Sequence, residues 1–262
     1  MAKYYTRACN FYYGKQAQIL IKKKKALALC GNKNVAFDQI EIFTRKNKKV
    51  STKFISINNI NMLNSNAKII VKKHLKNITS TRKNFIKNIN FSKPIIMGIL
   101  NMTPDSFSDG GKFNKTSKGI KHAFEMIRDG ANLIDVGGES TRPGSKPINE
   151  KTEWFRVNKI LRLIVKKLPI SLDTRKSKIM ERGIKLGVKL INDVSGLEYD
   201  PKTLTVLKKN KIPFVIQHSK GIPENMQKNP NYKNELLDIY DFFEKKIKLL
   251  RSRGIKHDKI IL

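Results

Sequence analysis

Short apolar runs alternate with amphipathic stretches over most of the chain after about residue 94. Each run ends in polar or small residues, as strands do where they lead into loops. The six runs are residues 94–100, 132–136, 169–174, 188–193, 213–218 and 259–262. This alternation predicts a parallel sheet whose strands are joined by helical crossovers.

The segments between the runs carry apolar residues at helical spacing. The clearest stripe, in residues 235–253, has apolar positions at intervals of four, three, four and three: Leu236, Tyr240, Phe243, Ile247 and Leu250. Such a stripe is typical of a helix that packs one face on a core. Shorter stripes predict four further helices, at about residues 120–131, 154–167, 179–186 and 204–207.

Six strands and five helices fit either an open doubly wound sheet or a barrel. A polar side chain stands at the end of five successive strands: Asn101, Asp135, Asp173, Asn192 and Gln217. A barrel of the TIM (β/α)8 type gathers its active-site groups on that rim. We therefore expect an α/β fold, a TIM-type barrel that is incomplete with about six strands. Ordinary loop polarity is the alternative explanation of the polar rim.

The first third of the chain lacks this alternation. Residues 36–43 alternate apolar with polar side chains like a strand, whereas residues 58–90 are dominated by Asn, Lys, Ser and Thr. We expect a basic amino-terminal extension or small accessory domain at residues 1–57. A linker or poorly ordered segment should follow at residues 58–93, and the barrel should occupy residues 94–262.

The charge of the chain is strongly positive. There are 54 Lys and Arg against 21 Asp and Glu, a net charge of +33, and residues 1–93 alone hold 21 basic and 2 acidic residues. Such a field attracts phosphates and nucleic acid without specifying either, so we expect nucleic acid to bind only non-specifically. A general Lys, Asn and Ile bias of the sequence is the plainer explanation.

The expected cellular localisation rests on the cysteine spacing and on the lack of membrane-spanning and leader signals in the sequence. Cys9 and Cys30 have neither metal-ligand nor disulfide-framework spacing. No apolar run reaches the roughly 18 to 20 residues that span a bilayer, and no charged-then-apolar leader is visible. We expect a cytoplasmic protein with no membrane partner.

Two loops after the first two barrel strands carry long patterns. Residues 98–109 read Gly-hydrophobic-hydrophobic-Asn-x-Thr-x-Asp-Ser-Phe-x-Asp, and residues 135–143 read Asp-hydrophobic-Gly-Gly-x-x-Thr-x-Pro. Both patterns resemble those of the dihydropteroate synthase family, and the resemblance covers roughly residues 94–262. It implies a transferase of folate biosynthesis. The reaction condenses 6-hydroxymethyl-7,8-dihydropterin diphosphate with para-aminobenzoate to give 7,8-dihydropteroate and diphosphate.

The resemblance also implies roles for single residues. Asn101 would be the residue at a Mg2+ site and, with Asp173, a catalytic residue. A cap for the turn before Pro104 is the alternative for Asn101. Asp173 and Asn192 would contact the pterin, and Asp173 could instead cap the following helix. Asp135 is as consistent with a buried structural carboxylate as with a ligand.

The loops themselves would bind and enclose the substrates. By resemblance, Thr141 and Arg142 bind the diphosphate and shape the para-aminobenzoate pocket, for which an Arg fork suits paired phosphate oxygens. The first loop, with Asp105, Phe107 and Asp109, would close over the reactants and exclude water, and Phe107 and Asp109 would be substrate-binding. Its two aspartates and its glycine pair are also what any exposed turn contains.

The sequence departs from the family pattern at two places. The family's Met-His-Met-x-Gly after the fifth strand is Gln-His-Ser-Lys-Gly over residues 217–221. The family's Asp-Pro-Gly loop, its later lysine and its Arg-x-His group have no counterpart up to Leu262. We therefore expect a carboxyl-terminally truncated barrel, and the family's homodimer contacts are weakened.

Three hypotheses follow from this pattern of matches and departures. The first is a transferase completed by another chain. The second is an inactive remnant that still binds pterin or diphosphate. The third is a basic protein associated with nucleic acid.

Overall fold

The structure is a computed structural model that describes residues 2–262 except 48, 83, 88, 92, 104–114, 141, 143, 144 and 220–230. The chain forms two compact units, residues 1–83 and residues 84–262. None of the helices in the described part of the chain combines the length and the hydropathy needed to cross a bilayer.

The first unit is an antiparallel sheet with two helices. Strand β3 is central: β1 pairs along one side of it, and β2 and β4 pair with its two halves on the other side. Its elements are β1 (Lys3–Tyr13), α1 (Gly14–Lys22), β2 (Leu27–Leu29), β3 (Asn32–Lys46), β4 (Lys49–Ser56), a 3-10 helix (Ile57–Met62) and α2 (Ser65–Thr79).

Helix α2 lies where the sequence predicts a linker. Asn64 caps it by accepting a hydrogen bond from the Ala67 N–H at 2.9 Å. Ala67, Val71 and Leu75 are buried at intervals of four residues, and the last two pack with Phe37 of β3. One small apolar stripe is therefore enough to fold this Asn- and Lys-rich segment against the sheet.

The second unit is a parallel six-stranded sheet with strands in sequential order. The strands are β5 (Met97–Asn101), β6 (Leu133–Gly137), β7 (Ile170–Asp173), β8 (Leu190–Asp193), β9 (Phe214–Ile216) and β10 (Ile260–Ile261). Within the described residues β5 and β10 are the edges, so the sheet is not closed. Sequential order is that of a (β/α) barrel, because a doubly wound sheet reverses its strand order.

Helices follow each of the first five strands and pack side by side, α3 on α4, α4 on α5 and α5 on α6. They are α3 (Lys115–Arg128), α4 (Glu150–Ile164), α5 (Ser177–Leu186), α6 (Thr203–Asn210) and α7 (Glu235–Ser252), and a 3-10 helix (His257–Lys259) precedes β10. Local signals begin and end them: Asn149 and Asn234 cap α4 and α7, and Gly187 ends α5 at a φ of 111°.

The two faces of the parallel sheet differ in character. Ile134 and Val136 of β6, like Leu172 of β7, are fully buried in the core shared with the helices. Because side chains alternate along a strand, Asp135 and Gly137 point to the opposite face. That face is the one on which a barrel holds its interior groups, and it carries the site described below.

The segment before β5 belongs to the second unit rather than to a linker. Ile86 and Ile89 are buried in one cluster with Leu133 and Leu190, which begin β6 and β8. Ile86 and Ile89 therefore pack against the amino ends of the strands, the end opposite to the polar rim. The boundary between the units lies at residues 83 and 84, about ten residues earlier than the sequence suggests.

Candidate active site

Three of the predicted site residues lie in one row across adjacent strands. Asn101 is paired with Gly137, Gly137 with Asp173, and Asp173 with Asn192. Adjacent strands are about 4.8 Å apart, so the row is on the order of 15 Å long. The strand register therefore brings Asn101, Asp173 and Asn192 to one face at one level of the sheet.

Gly137 leaves a gap in the middle of this row. A Cβ atom added to Gly137 would lie 3.3 Å from Asp173 Oδ2 and 3.5 Å from Asn101 Oδ1. The two oxygens therefore flank the same point, where any larger residue would place its side chain. Glycine in the second loop pattern thus has a steric reason: it keeps the space between two hard oxygen atoms open.

A second row lies two residues before the first and carries Asp135. Its side chain is 7% exposed, and Oδ2 accepts a hydrogen bond from Asn192 Nδ2 at 3.1 Å. Gln217 Nε2 in turn donates to Asn192 Oδ1 at 3.3 Å. Because a carboxylate only accepts hydrogen bonds, this chain fixes the orientation of the Asn192 amide. All five strand-end residues that the sequence singles out are therefore on one rim.

Buried carboxyl groups dominate the electrostatics of the rim. Burial raises the pKa of Asp173 well above its ordinary value, and the nearby carboxylates of Asp135 and Glu153 add to the rise. Burial also raises the pKa of Asp135, against the opposing effect of the Ser171 hydroxyl and the Asn192 amide. Asp135 Oδ1 has no hydrogen-bond partner among the described residues. A ligand with several N–H donors would satisfy these acceptors.

The loop after β6 is held by a buried ionic network that the sequence pattern does not predict. Glu139, Glu153, Arg175 and Lys176 are buried and are joined by three ion pairs. Hydrogen bonds from Arg175 and Lys176 overcome the effect of burial and lower the pKa of Glu139. Two cationic residues, two and three positions after the strand-end Asp173, are the sequence signal that could have indicated the network.

The remaining predicted residues lie in the two loops. Arg142 is exposed, and its backbone takes part in the turn of the second loop: its carbonyl accepts a hydrogen bond from Ser145 N at 3.0 Å. Thr141, Asp105, Phe107 and Asp109 lie outside the described residues.

His218, the histidine that follows β9, packs beside Phe242 with ring centroids 4.5 Å apart. Its Nε2 atom lies 3.1 Å from the Tyr232 hydroxyl. The histidine retained from the family pattern therefore sits in an aromatic environment formed with α7.

Comparisons with known proteins match the second unit to one family. Residues 97–262 match the model of a family described as "Pterin binding enzyme". The chain is 42% identical over 172 residues to the dihydropteroate synthase of Bacillus subtilis (strain 168), covering 65% of this chain and 58% of that protein. The chain thus spans about three fifths of the length of the curated relatives that it matches.

Solved structures of the same kind share the fold. The Yersinia pestis dihydropteroate synthase, solved with a sulfonamide drug complex, matches with a TM-score of 0.62 and 37% identity over 67% of this chain and 65% of that chain. The Burkholderia cenocepacia enzyme complexed with 7,8-dihydropteroate matches with a TM-score of 0.57 and 32% identity, over 66% and 58% of the two chains. The expected TIM-barrel type of fold is confirmed.

Proposed function

The chain belongs to the pterin binding enzyme family, and from that premise we propose that it acts in the dihydropteroate synthase reaction of folate biosynthesis. Its substrates are 6-hydroxymethyl-7,8-dihydropterin diphosphate and para-aminobenzoate. The amine nitrogen of the aminobenzoate forms a bond to the pterin CH2 carbon while the C–O bond to diphosphate breaks. The amine loses a proton, and the products are 7,8-dihydropteroate and diphosphate.

The observation that carries this proposal is the row Asn101, Gly137, Asp173 and Asn192. A pterin edge presents several N–H groups and ring acceptors in one plane. Asp173 supplies a buried acceptor for the N–H groups, and Asn192 supplies an amide fixed by Asp135. Asp135 Oδ1 is a buried acceptor without a partner among the described residues, and such an atom discriminates strongly for a ligand that satisfies it, which would give the pocket specificity for the pterin.

The diphosphate end of the substrate requires cationic partners. Mg2+ prefers oxygen ligands and keeps substrate phosphates and waters among them, and Asn101 Oδ1 at the open end of the row fits that requirement. Asn101 would help to hold such an ion, which would supply charge neutralisation for the leaving diphosphate. Arg142, and Thr141 beside it, would hold the phosphate oxygens from the second loop. Phe107 and Asp109 in the first loop would cover the reactants.

The remaining partners follow from the same proposal. Folate synthesis from a phosphorylated pterin places the chain in the cytoplasm, which suits the free thiols of Cys9 and Cys30. A homodimer is the arrangement of the family that the chain resembles, and the proposal does not require one. Nucleic acid would bind only through the general positive charge.

The direct test is turnover by the purified full chain. It is incubated with pterin diphosphate, para-aminobenzoate and Mg2+, and dihydropteroate is measured by chromatography. Calorimetric titration with the phosphate-free pterin accompanies the assay. Product formation supports the transferase, and pterin binding without product supports a pocket that needs further protein for the transfer. Absence of both contradicts the proposal.

The gap at Gly137 gives a first mutational prediction. Gly137→Ala places a methyl group beside Asp173 Oδ2 and Asn101 Oδ1, so pterin affinity should fall about tenfold while stability changes by less than about 1 kcal/mol. Affinity is measured by titration calorimetry, and stability by urea unfolding followed through the fluorescence of Trp154, the single tryptophan of the chain.

Gly138→Ala is the matched comparison for this variant. A Cβ at Gly138 would meet the Glu153 carbonyl oxygen and Val157 Cγ1, each at 2.9 Å, away from the row. It should therefore lower stability by roughly 1–3 kcal/mol. Equal effects of the two variants on pterin affinity would contradict the assignment of the gap to the pocket.

A further inference from the structure

Two side-chain hydrogen bonds join distant residues of the loop between β6 and α4, in the part of residues 138–149 that the structure describes. The Ser145 hydroxyl donates to the Ser140 carbonyl oxygen at 2.7 Å. The Ile148 N–H donates to Glu139 Oε1 at 2.9 Å, across nine residues of chain. Glu139 thus ties the outgoing end of the loop to its incoming end, and Arg142 lies between the two ends.

The carboxylate of Glu139 is also bound to the next strand's loop. Lys176 Nζ donates to Oε1 at 2.8 Å, and Arg175 Nε donates to Oε2 at 2.8 Å. Arg175 and Lys176 follow the strand-end Asp173 by two and three residues. The same carboxylate therefore connects the loop that carries Arg142 to the strand end that carries Asp173.

Helix α4 makes two further contacts with Lys176 and with the start of the β6–α4 loop. Lys176 Nζ reaches Glu153 Oε2 at 2.5 Å, and Arg156 Nη1 donates to the Gly138 carbonyl oxygen at 2.8 Å. The close approach of the loop to the helix depends on Gly138, where a side chain would strike the Glu153 backbone. The loop stem is therefore held from two sides.

Burial makes these contacts rigid. The side chains of Glu139, Arg175, Lys176 and Glu153 are 5%, 7%, 5% and 1% exposed. Exposed ion pairs hold geometry weakly because water and salt compete with them, whereas buried and hydrogen-bonded pairs hold one arrangement. A loop of this length would otherwise lose considerable conformational entropy on binding a ligand.

We propose that Glu139 is a positioning residue: by joining the β6–α4 loop to Arg175 and Lys176, it sets where Arg142 stands relative to the pterin pocket and so controls binding of the diphosphate group. The inference rests on the proposed function. It assigns Glu139 no contact with substrate. Glu139 acts through Arg142, so its loss should weaken binding of the phosphorylated ligand and leave binding of the phosphate-free ligand nearly unchanged.

The experiment measures calorimetric Kd values of the full chain for 6-hydroxymethyl-7,8-dihydropterin and for its diphosphate. In Glu139→Gln the Kd for the diphosphate should rise about tenfold, while the Kd for the phosphate-free pterin changes less than about threefold. Arg142→Gln should show the same selective loss. Both substitutions remove the same interaction, that of Arg142 with the diphosphate. The diphosphate affinity of the double variant should therefore be little lower than that of either single variant.

Lys178→Met is the matched control. It removes the exposed ion pair between Lys178 and Glu150, 3.1 Å apart, which also joins α4 to α5 but lies outside the loop. Both Kd values should remain unchanged. Should Glu139→Gln fail to fold, Ser145→Ala removes only the hydroxyl bond within the loop, and it should show a smaller loss of about threefold with the same selectivity.

The outcomes separate the inference from the proposed function. Three results would each overturn the positioning role. The first is an equal loss of affinity for both ligands in Glu139→Gln, and the second is unchanged diphosphate binding in that variant. The third is a double variant whose loss of diphosphate affinity is the full sum of the losses in Glu139→Gln and Arg142→Gln. Failure of the wild-type chain to bind either pterin would overturn the proposed function, and the inference with it. Hydrogen exchange of the Ile148 amide tests the tie without any ligand: exchange should be slow in the wild type and much faster in Glu139→Ala, which removes the acceptor oxygen.

Discussion

Replacing Asp173 with Asn should abolish pterin binding and at the same time stabilise the folded protein at neutral pH. The carboxylate is the buried acceptor of the proposed pocket, so its loss should raise the Kd for the pterin by about 100-fold or more. In the absence of ligand the same charge is a cost, because burial and the carboxylates of Asp135 and Glu153 raise its pKa. Removing such a strained group commonly adds roughly 0.5–2 kcal/mol to the free energy of unfolding.

The pH dependence of this gain has a definite sign. Where the pKa of Asp173 is raised in the folded state, the folded protein binds more protons than the unfolded chain, so the free energy of unfolding falls as pH increases. The cost is absent below the ordinary Asp pKa of 3.8 and complete above the raised value. The difference between Asp173→Asn and wild type should therefore grow from low pH towards neutral pH.

Urea unfolding followed by Trp154 fluorescence at several pH values measures this difference. Trp154 lies on α4, so its signal reports the unit that holds the site. Asp129→Asn serves as the control, because that carboxylate is 63% exposed, and its effect should be small at every pH. Destabilisation by Asp173→Asn at neutral pH, or retention of wild-type pterin affinity, would contradict the assignment.

The sheet of the second unit could be predicted from sequence because its strands are short, apolar and bounded by turn signals. The run at residues 132–136 becomes β6, and the stripe at residues 235–253 becomes α7, within one residue at each end. The sequential strand order decides between the barrel and the doubly wound sheet, which periodicity alone leaves open. The rim follows in turn, since parallel strands deliver their carboxyl ends to one edge.

Helix α2 and the Glu139 network show what sequence patterns miss. Ala67, Val71 and Leu75 are only three apolar positions in a segment rich in Asn and Lys. The composition of the segment therefore suggests a linker, and the helix is recognised only once the sheet on which these residues pack is known. Glu139 and Lys176 are 37 residues apart. Their pairing depends on the direction in which side chains leave a loop and a helix start, and such directions are set by tertiary packing.

Replacing Lys176 with Met should cause the largest loss of stability in the second unit. The ammonium group bridges Glu139 and Glu153 at 2.8 and 2.5 Å, and all three side chains are at most 5% exposed. Removal of one partner from a buried ionic group typically costs about 3–5 kcal/mol, because the other charges remain without compensation. Arg175 still pairs with Glu139, so the uncompensated charge falls chiefly on Glu153.

The double variant Lys176→Met, Glu153→Gln tests this account of the loss. It neutralises Glu153 and also removes the Lys176 ammonium group, so no uncompensated charge remains between these two residues. A large part of the lost free energy of unfolding should therefore be recovered. Comparison of the double variant with the single variants measures the coupling between the two residues. Lys178→Met, two residues further along at the start of α5 and 64% exposed, should change the free energy of unfolding by less than about 0.5 kcal/mol. All variants are compared by urea unfolding at pH 7 through Trp154 fluorescence. A Lys176→Met variant within about 1 kcal/mol of Lys178→Met would mean that water reaches the network and that its carboxylates are not held by buried charge pairing.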